Sequence, residues 1–281
     1  MEKVKFNSFF LVIPTRERVF HLKNLLTDFN SFALYISQCI IVDQSVDFVG
    51  DDFDYSEYNF PIKILRGDRM KGVNHSRNKA LEEYKGEDWL FFLDDDLRVA
   101  SSELKNLVEV LQTTSFEVVI PGINEVRKLK DSSLRYNSVL ESILKPQSFD
   151  GFSNRIIVSS GLCVIKKNAF LKFGAFDEVF TFWGDDWDLG VRLYRNGATI
   201  KYIPSINFTH LQLNIGGQRS FKENIDVASK KKELYYYFLK KHFSKSVLKE
   251  SLFLDMVKSL RKFKILSAIK LIKFYKNAHR L

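Results

Sequence analysis

The sequence of 281 residues predicts an α/β fold, a mostly parallel central sheet flanked by helices, with an amphipathic helical extension at its C-terminal end. Three observations predict it. Short runs that are apolar on both faces alternate with helix-spaced amphipathic segments, the pattern of strands buried in a helix-covered parallel sheet. The composition is that of a globular chain, 45% hydrophobic and 27% charged, which excludes collagen-like, disordered and coiled-coil classes. The net charge of +9 is segregated. Residues 222–281 hold sixteen Lys/Arg against five Asp/Glu, so the preceding 221 residues sit at −2. A near-neutral body argues against a domain that grips nucleic acid.

The elements follow in order. Residues 9–13 (FFLVI) form an unbroken apolar run, a buried strand closed by Pro14. Over 17–29, Val19, Leu22, Leu25, Leu26 and Phe29 recur at helical spacing. Residues 39–42 (CIIV) and 62–65 (IKIL) are strands on either side of an acidic loop at 51–57. A polar helix is expected over 74–84, a strand at 89–93 (WLFFL), a helix over 102–112 and a strand at 118–120. Residues 122–154 are polar and irregular, and no element is assigned to them. Residues 155–165 are strand-rich around Ser159-Ser160-Gly161. Helices follow over 168–173 and 186–196, the latter ending at Gly197, a natural C-cap. Strands are expected at 199–203 and 206–211, then a mobile loop at Gly216-Gly217, then helix from 222 onward.

In a sheet of this kind the ligand lies beyond the carboxyl ends of the strands. Residues 14–16, 43–45, 66–68 and 94–96 therefore converge on one cleft. Cys39 and Cys163 are the only cysteines and show no CxxC spacing, which excludes a disulfide framework and a cysteine zinc site. The apolar run at 9–13 is too short for a signal-peptide core, and no stretch approaches the roughly 20 apolar residues of a membrane span. The expectation is a cytoplasmic protein, peripheral on the inner face of the cell membrane.

Two acidic clusters point to chemistry. Asp94-Asp95-Asp96 directly follows an apolar strand, and three adjacent carboxylates favour partial protonation unless a cation offsets them. At a strand's carboxyl end they suit a hard divalent ion of the Mg²⁺ or Mn²⁺ type, which shares its coordination with phosphate oxygens. Asp185-Asp186-Trp187-Asp188, entered through Phe182-Trp183-Gly184, sets a carboxylate beside aromatic rings, a combination suited to a general base next to a sugar-binding surface.

Together these segments resemble the family 2 glycosyltransferases of the GT-A fold, over roughly residues 6–212. VIPTRER at 12–18 is similar to the family's opening strand and nucleotide-contacting turn, which implies nucleotide contacts from Pro14, Thr15 and Arg16. IIVDQS at 40–45 is similar to the IVDDGS element and implies that Asp43 contacts the donor base, with Gln44 in place of the second acid. GVNHSRNKAL at 72–81 resembles a segment that implies Arg77 near the base or phosphates. FLDDDLRV at 92–99 is similar to the DxD signature, which implies Asp94 on the ribose side and Asp96 on the metal bridging the diphosphate. GDDWDLGVRL at 184–193 resembles the E-D-x-D-L-x-x-R stretch, implying Asp186 as catalytic base with Asp185 and Trp183 at the acceptor. His210, in FTHLQ, stands where many GT-A enzymes place a further metal ligand.

The resemblance implies a metal-dependent, inverting hexosyltransferase. It would move sugar from a nucleotide-diphosphate donor, UDP by preference, to a hydroxyl of a glycan or polyprenyl-linked acceptor in cell-surface polysaccharide assembly. A processive synthase is not expected, because residues 218–221 (QRSF) do not match the Q-x-x-R-W motif. The implied organisation is a catalytic domain at 1–221, with a nucleotide-binding half at 1–100 and an acceptor-binding half at 101–221, and a basic extension at 222–281.

In the extension, Leu252, Phe253, Met256, Val257, Leu260 and Phe263 share one helical face, and a phase slip near Lys264 starts a second face of Ile265, Ala268, Ile269 and Ile272. Two short amphipathic helices, or one kinked helix, follow. Their apolar faces either pack on the body or dock on an anionic membrane surface, where each nearby basic residue contributes about 1 kcal/mol. The alternative class is a non-catalytic protein that binds nucleic acid or membrane through this tail. It predicts binding indifferent to changes at Asp96 or Asp186.

Overall fold

The computed structural model describes residues 8–128, 134–138, 158–211, 213, 216, 227–261 and 265–278. Its centre is a sheet of nine strands in the order β3-β2-β1-β4-β8-β6-β9-β5, with β7 paired to β6. The strands are β1 (Phe9–Thr15), β2 (Ile36–Asp43), β3 (Ile62–Arg66), β4 (Trp89–Leu93), β5 (Leu97–Arg98), β6 (Val118–Lys128), β7 (Leu134–Ser138), β8 (Leu162–Lys166) and β9 (Ile200–His210). The first four are mutually parallel, as their doubly apolar sequences require. Beyond β4 the sheet is mixed: β8 runs antiparallel to β4 and β6, while β9 is parallel to β6.

Helices cover both faces. On one side α1 (Val19–Phe29) and α3 (Ser101–Thr113) bury Leu22, Leu25, Leu26, Leu104, Leu107 and Leu111 against Leu11, Ile13, Phe91 and Leu93. On the other, α2 (Val73–Leu81), α4 (Lys167–Phe173) and α5 (Asp185–Arg195) pack Ala80, Phe173, Leu189 and Leu193 on Val12, Val42 and Phe92. Cys39 and Cys163 are both free and fully buried inside the sheet, and burial drives their thiols far above the ordinary range.

The chain departs from expectation at identifiable places. The first helix starts at Val19 rather than 17, because Glu17 adopts φ 55°, a left-handed conformation that no helix accommodates. The two strands expected at 199–203 and 206–211 are one, β9. Ile203 pairs with Pro121 and Asn207 with Gly122, so the intervening residues 204–206 bulge out around Pro204, which has no amide hydrogen for the ladder. In the stretch left without an element, β6 runs on to Lys128 and pairs with β7. The expected strand character of 155–157 and the loop at Gly217 lie outside the described residues. Residues 158–161 form a turn before β8.

Among the described residues three helices follow, α6 (Val227–His242), α7 (Lys245–Arg261) and α8 (Ile265–Ala278). Leu234, Tyr236, Phe238, Leu239, Leu248 and Leu271 close a third core with Phe180, Phe182 and Val191 of the body. The expected apolar faces divide. Ala268 and Leu271 turn inward, whereas Phe253, Leu260, Ile265, Leu266 and Ile269 are 48–76% exposed. Among the described residues no helix is long and apolar enough to cross a membrane.

Candidate active site

The parallel half of the sheet brings its strand ends together at one edge. β1 ends at Thr15, whose hydroxyl donates to Asp95 at 2.7 Å. One guanidinium nitrogen of Arg18 bridges Asp95 at 2.9 Å and Asp96 at 2.8 Å. The two-residue β5 pairs with the end of β9, setting Leu97 opposite His210. His210 Nε2 thereby lies 3.2 Å from Asp96 Oδ1.

Electrostatics separates the three adjacent carboxylates. Burial and the neighbouring Asp96 push Asp95 above the ordinary carboxylate range, against the pull of Arg18. Burial acts the same way on Asp96, yet His210 and Arg18 overcome it and hold that carboxyl below the range. Asp94 is raised by enclosure and by Asp96, with Arg77 opposing. Its side chain fits only because residue 161 is glycine, for a Cβ there would stand 2.2 Å from Asp94 Oδ2.

Arg77 joins the second acidic cluster to the first. Only 2% exposed, it donates from Nη2 to Asp94 at 3.2 Å, and from Nη1 to Asp185 at 2.9 Å and Asn74 at 3.0 Å. Its helix approaches closely because Gly72, where α2 begins, lies against Thr181, whose carbonyl oxygen would be 2.2 Å from an added Cβ. Asp185 and Asp186 open α5 after Gly184, which takes φ 91°. Ser160 holds both acids: its hydroxyl lies 2.6 Å from Asp185 Oδ2 and 2.7 Å from Asp186 Oδ1, and its backbone N–H donates to Asp186 at 2.7 Å. Burial and the Asp185 charge push Asp186 above the ordinary range even so, toward where a general base works near neutral pH.

The remaining candidates line the turns after β1 and β2. Pro14 is buried within β1, and Arg16, 8% exposed, donates to the Arg69 carbonyl at 3.2 Å. Asp43 is completely buried, and its two oxygens accept the N–H groups of Ser45 and Val49, each at 2.8 Å. Gln44 donates both amide hydrogens to the carbonyls of Asp68 and Lys71, at 2.7 and 2.8 Å, a role an acid could not fill. Trp183 packs edge-on to Trp187, ring centroids 4.5 Å apart, on the side of α5 that faces α6.

Arg77, Asp94, Asp185 and Asp186 are thus brought together, with Thr15, Asp96 and His210 in the adjoining layer. Arg18 and Ser160 were not singled out from sequence. Arg18 stands in the VIPTRER segment and Ser160 beside Gly161, but their pairing with acids 77 or 78 and 25 or 26 residues away has no local signature. Among the described residues no group of three His, Cys, Asp or Glu side chains forms a ready metal cage. Asp96 and His210 offer one oxygen and one nitrogen close together, a donor set that fits a hard ion taking its other ligands from phosphate and water.

The family model described as "Glycosyl transferase family 2" matches residues 11–180, the span that includes both strand-end turns and Asp94–Asp96. An uncharacterized glycosyltransferase of Haemophilus influenzae is 24% identical over 84% of this chain and 77% of its own length. A putative polypeptide N-acetylgalactosaminyltransferase 13 of Drosophila melanogaster is 24% identical over 56% of this chain and 30% of its own. Among solved structures, S. aureus TarS 1-349 in complex with UDP-GlcNAc superposes with a TM-score of 0.59 at 14% identity, covering 83% of this chain and 66% of that one. GalNAc-T7 with UDP, GalNAc and Mn²⁺ gives 0.58 at 16% identity, over 84% of this chain and 50% of that one. At such identities the likeness is one of fold, that of the GT-A glycosyltransferases. The chain spans about half of GalNAc-T7 and under a third of the Drosophila relative.

Proposed function

The chain belongs to glycosyl transferase family 2, and from that premise we propose a non-processive, inverting transferase that moves a hexose-type sugar from a UDP donor to an acceptor hydroxyl. The observation that carries this reading is the Arg77 fork. One buried guanidinium ties Asp94, in the donor-side cluster, to Asp185, beside the candidate base, so both acidic clusters belong to a single site. The UDP in the related structures supports the same donor class.

In the proposed reaction Asp186, held by Ser160, accepts the proton of the acceptor hydroxyl. The new O–C1 bond forms as the bond from C1 to the diphosphate oxygen breaks on the opposite face, giving inversion. The leaving group departs as UDP, while Arg77 holds Asp94 and Asp185 in place. Thr15 and Arg18 keep Asp95 and Asp96 in place, and Asp43 fixes the Ser45–Val49 turn against which the base would lie. Asp96 and His210 would hold a divalent ion of the Mn²⁺ or Mg²⁺ type, which when bound supplies positive charge at the diphosphate.

The acceptor class that suits the molecule is a glycan or polyprenyl-linked acceptor at a membrane surface, as in cell-surface polysaccharide assembly. Ile265, Leu266 and Ile269 stand exposed on the same helix as exposed Lys270 and Lys273, the mixture that lies flat on anionic lipid. UDP release from a panel of UDP-hexoses, with and without lipid-linked acceptors, tests the proposal. Turnover that Asp186→Asn abolishes while UDP still binds is expected; undiminished turnover by that variant would remove Asp186 from the mechanism.

A further inference from the structure

The loop of residues 174–184, which joins α4 to α5, is held between two helices, α2 on one side and α6 on the other. Toward α2 the contacts are polar. Asn74 Nδ2 donates to the Asp177 carbonyl at 2.9 Å. The Asn78 side chain meets both the N–H and the carbonyl of Phe176, at 2.8 and 2.9 Å. Toward α6, the Asp177 carboxylate accepts from the Tyr237 hydroxyl at 2.9 Å and from Lys241 Nζ at 2.7 Å. Phe180 packs beside the Tyr237 ring, with centroids 5.3 Å apart. Asp177 thus serves both helices, its backbone carbonyl to α2 and its side chain to α6. Asn74 extends the connection inward, for its Oδ1 accepts from Arg77 Nη1 at 3.0 Å, and the same nitrogen donates to Asp185 at 2.9 Å. We infer that Asn74 is a positioning residue for the candidate active site and that α6 fixes it there through Asp177, so that a helix of the basic C-terminal stretch sets the Arg77–Asp185 pair.

The chemistry of the contacts demands an amide at this position. Asn74 is 1% exposed. A guanidinium only donates and a carbonyl only accepts, so one orientation of the amide satisfies both partners. Aspartate, of the same shape, would set an oxygen against the Asp177 carbonyl, and leucine would leave both that carbonyl and an Arg77 hydrogen without a partner. Arg77 has little else on this side to hold it. Its Nε is buried with no hydrogen-bond partner among the described residues, and its guanidinium lies 5.4 Å from the centre of the Phe176 ring, which belongs to the same loop. Nη2 is committed to Asp94. Loss of Asn74 is therefore felt at Asp185, next to the candidate base, before it is felt in the donor-side cluster.

The effect on rate rests on the transferase reading, whereas the effect on Arg77 does not, and the test uses both. Guanidinium protons that are enclosed and hydrogen-bonded exchange slowly with water. In magnetic resonance spectra of the full chain with isotope-labelled arginine, Arg77 is expected to give resolved Nη signals, assigned by their loss in Arg77→Lys. Asn74→Leu and Asp177→Ala should each shift or broaden them. With a UDP-hexose that the chain turns over, Asn74→Leu is expected to lower kcat by about tenfold while the donor KM stays within about threefold. Asp177→Ala lowers kcat by less, and the double variant is no slower than Asn74→Leu alone, because both changes break one line of contacts. Losses that multiply in the double variant, an unchanged kcat in Asn74→Leu, or Arg77 signals untouched by Asp177→Ala would overturn the inference. If Asn74→Leu fails to fold, Asp177→Ala, which keeps the carbonyl that Asn74 uses, decides the matter through the same spectra. If the unaltered chain turns over no UDP-hexose, the transferase reading falls, and the spectra still decide whether α6 positions Arg77.

Discussion

Single atoms decide much at the candidate site. Gly161 leaves room for Asp94 and nothing larger, so Gly161→Ala must displace that carboxylate or the turn carrying it. The expected result is UDP affinity weakened about tenfold, read by calorimetry, with the Arg77–Asp94 contact broken. Ser160 offers both its hydroxyl and its N–H to Asp186, and hydrogen bonds to a carboxylate favour the charged form. Removing the hydroxyl in Ser160→Ala therefore raises Asp186 further. Because the proposed base works deprotonated, the acidic limb of the kcat profile is expected above the ordinary carboxylate range in the unaltered chain and at still higher pH in that variant. Asp186→Asn is expected to lower kcat by about 100-fold or more, the scale of a lost general base, with UDP affinity unchanged. A limb that stays in place in Ser160→Ala would separate Asp186 from the rate.

At the scale of elements, α5 is a joint between body and extension. Asp188, 1% exposed, meets Arg192 at 2.8 Å within its own helix, and Lys241 at 2.6 Å and His242 at 2.7 Å from α6. Arg192 in turn donates to the carbonyls of Phe173 and Ala175 at the end of α4, and Arg195 to the His242 carbonyl. Burial opposes the Asp188 charge, but His242, Arg192 and Lys241 overcome it and bring the carboxyl from 3.8 to about 2. A folded value below the unfolded one gives stability that is present above 3.8 and lost as pH falls towards 2, on the order of 2 kcal/mol. Asp188→Asn removes the buried charge on which Arg192, Lys241 and His242 converge and is expected to cost about 3–5 kcal/mol in denaturant unfolding. A loss below 1 kcal/mol would mean the helices dock by apolar contact alone. This joint could not be seen in the sequence. The Asp188 and Arg192 spacing was legible as one helical face, but Lys241 and His242 lie over 50 residues on, and nothing local links them. The strands were legible because 9–13, 39–42 and 89–93 are apolar on both faces. The β6–β7 ladder was not, because backbone pairing in a polar segment leaves no periodicity to read.

For the molecule as a whole, the positive charge read from composition falls in the stretch that carries helices α6, α7 and α8, after the mixed sheet. Of the two fates that its amphipathic pattern allowed, packing on the body is seen for one set of apolar side chains, which closes a core with Phe180 and Phe182, while another set faces solvent. Vesicles containing anionic lipid are expected to retain the chain at low salt, and Ile265→Ser/Leu266→Ser/Ile269→Ser to release it, while neutral vesicles retain neither. Equal retention of the triple variant in sedimentation would leave those residues without a membrane role. The account turns, however, on the donor end of the site. Calorimetric titration of UDP, GDP, dTDP and CDP, with and without Mn²⁺, into the unaltered chain and Asp96→Ala tests it most directly. Binding of UDP that requires the metal and is lost in Asp96→Ala is the predicted result; no nucleotide binding, or UDP binding indifferent to both metal and Asp96, would contradict it.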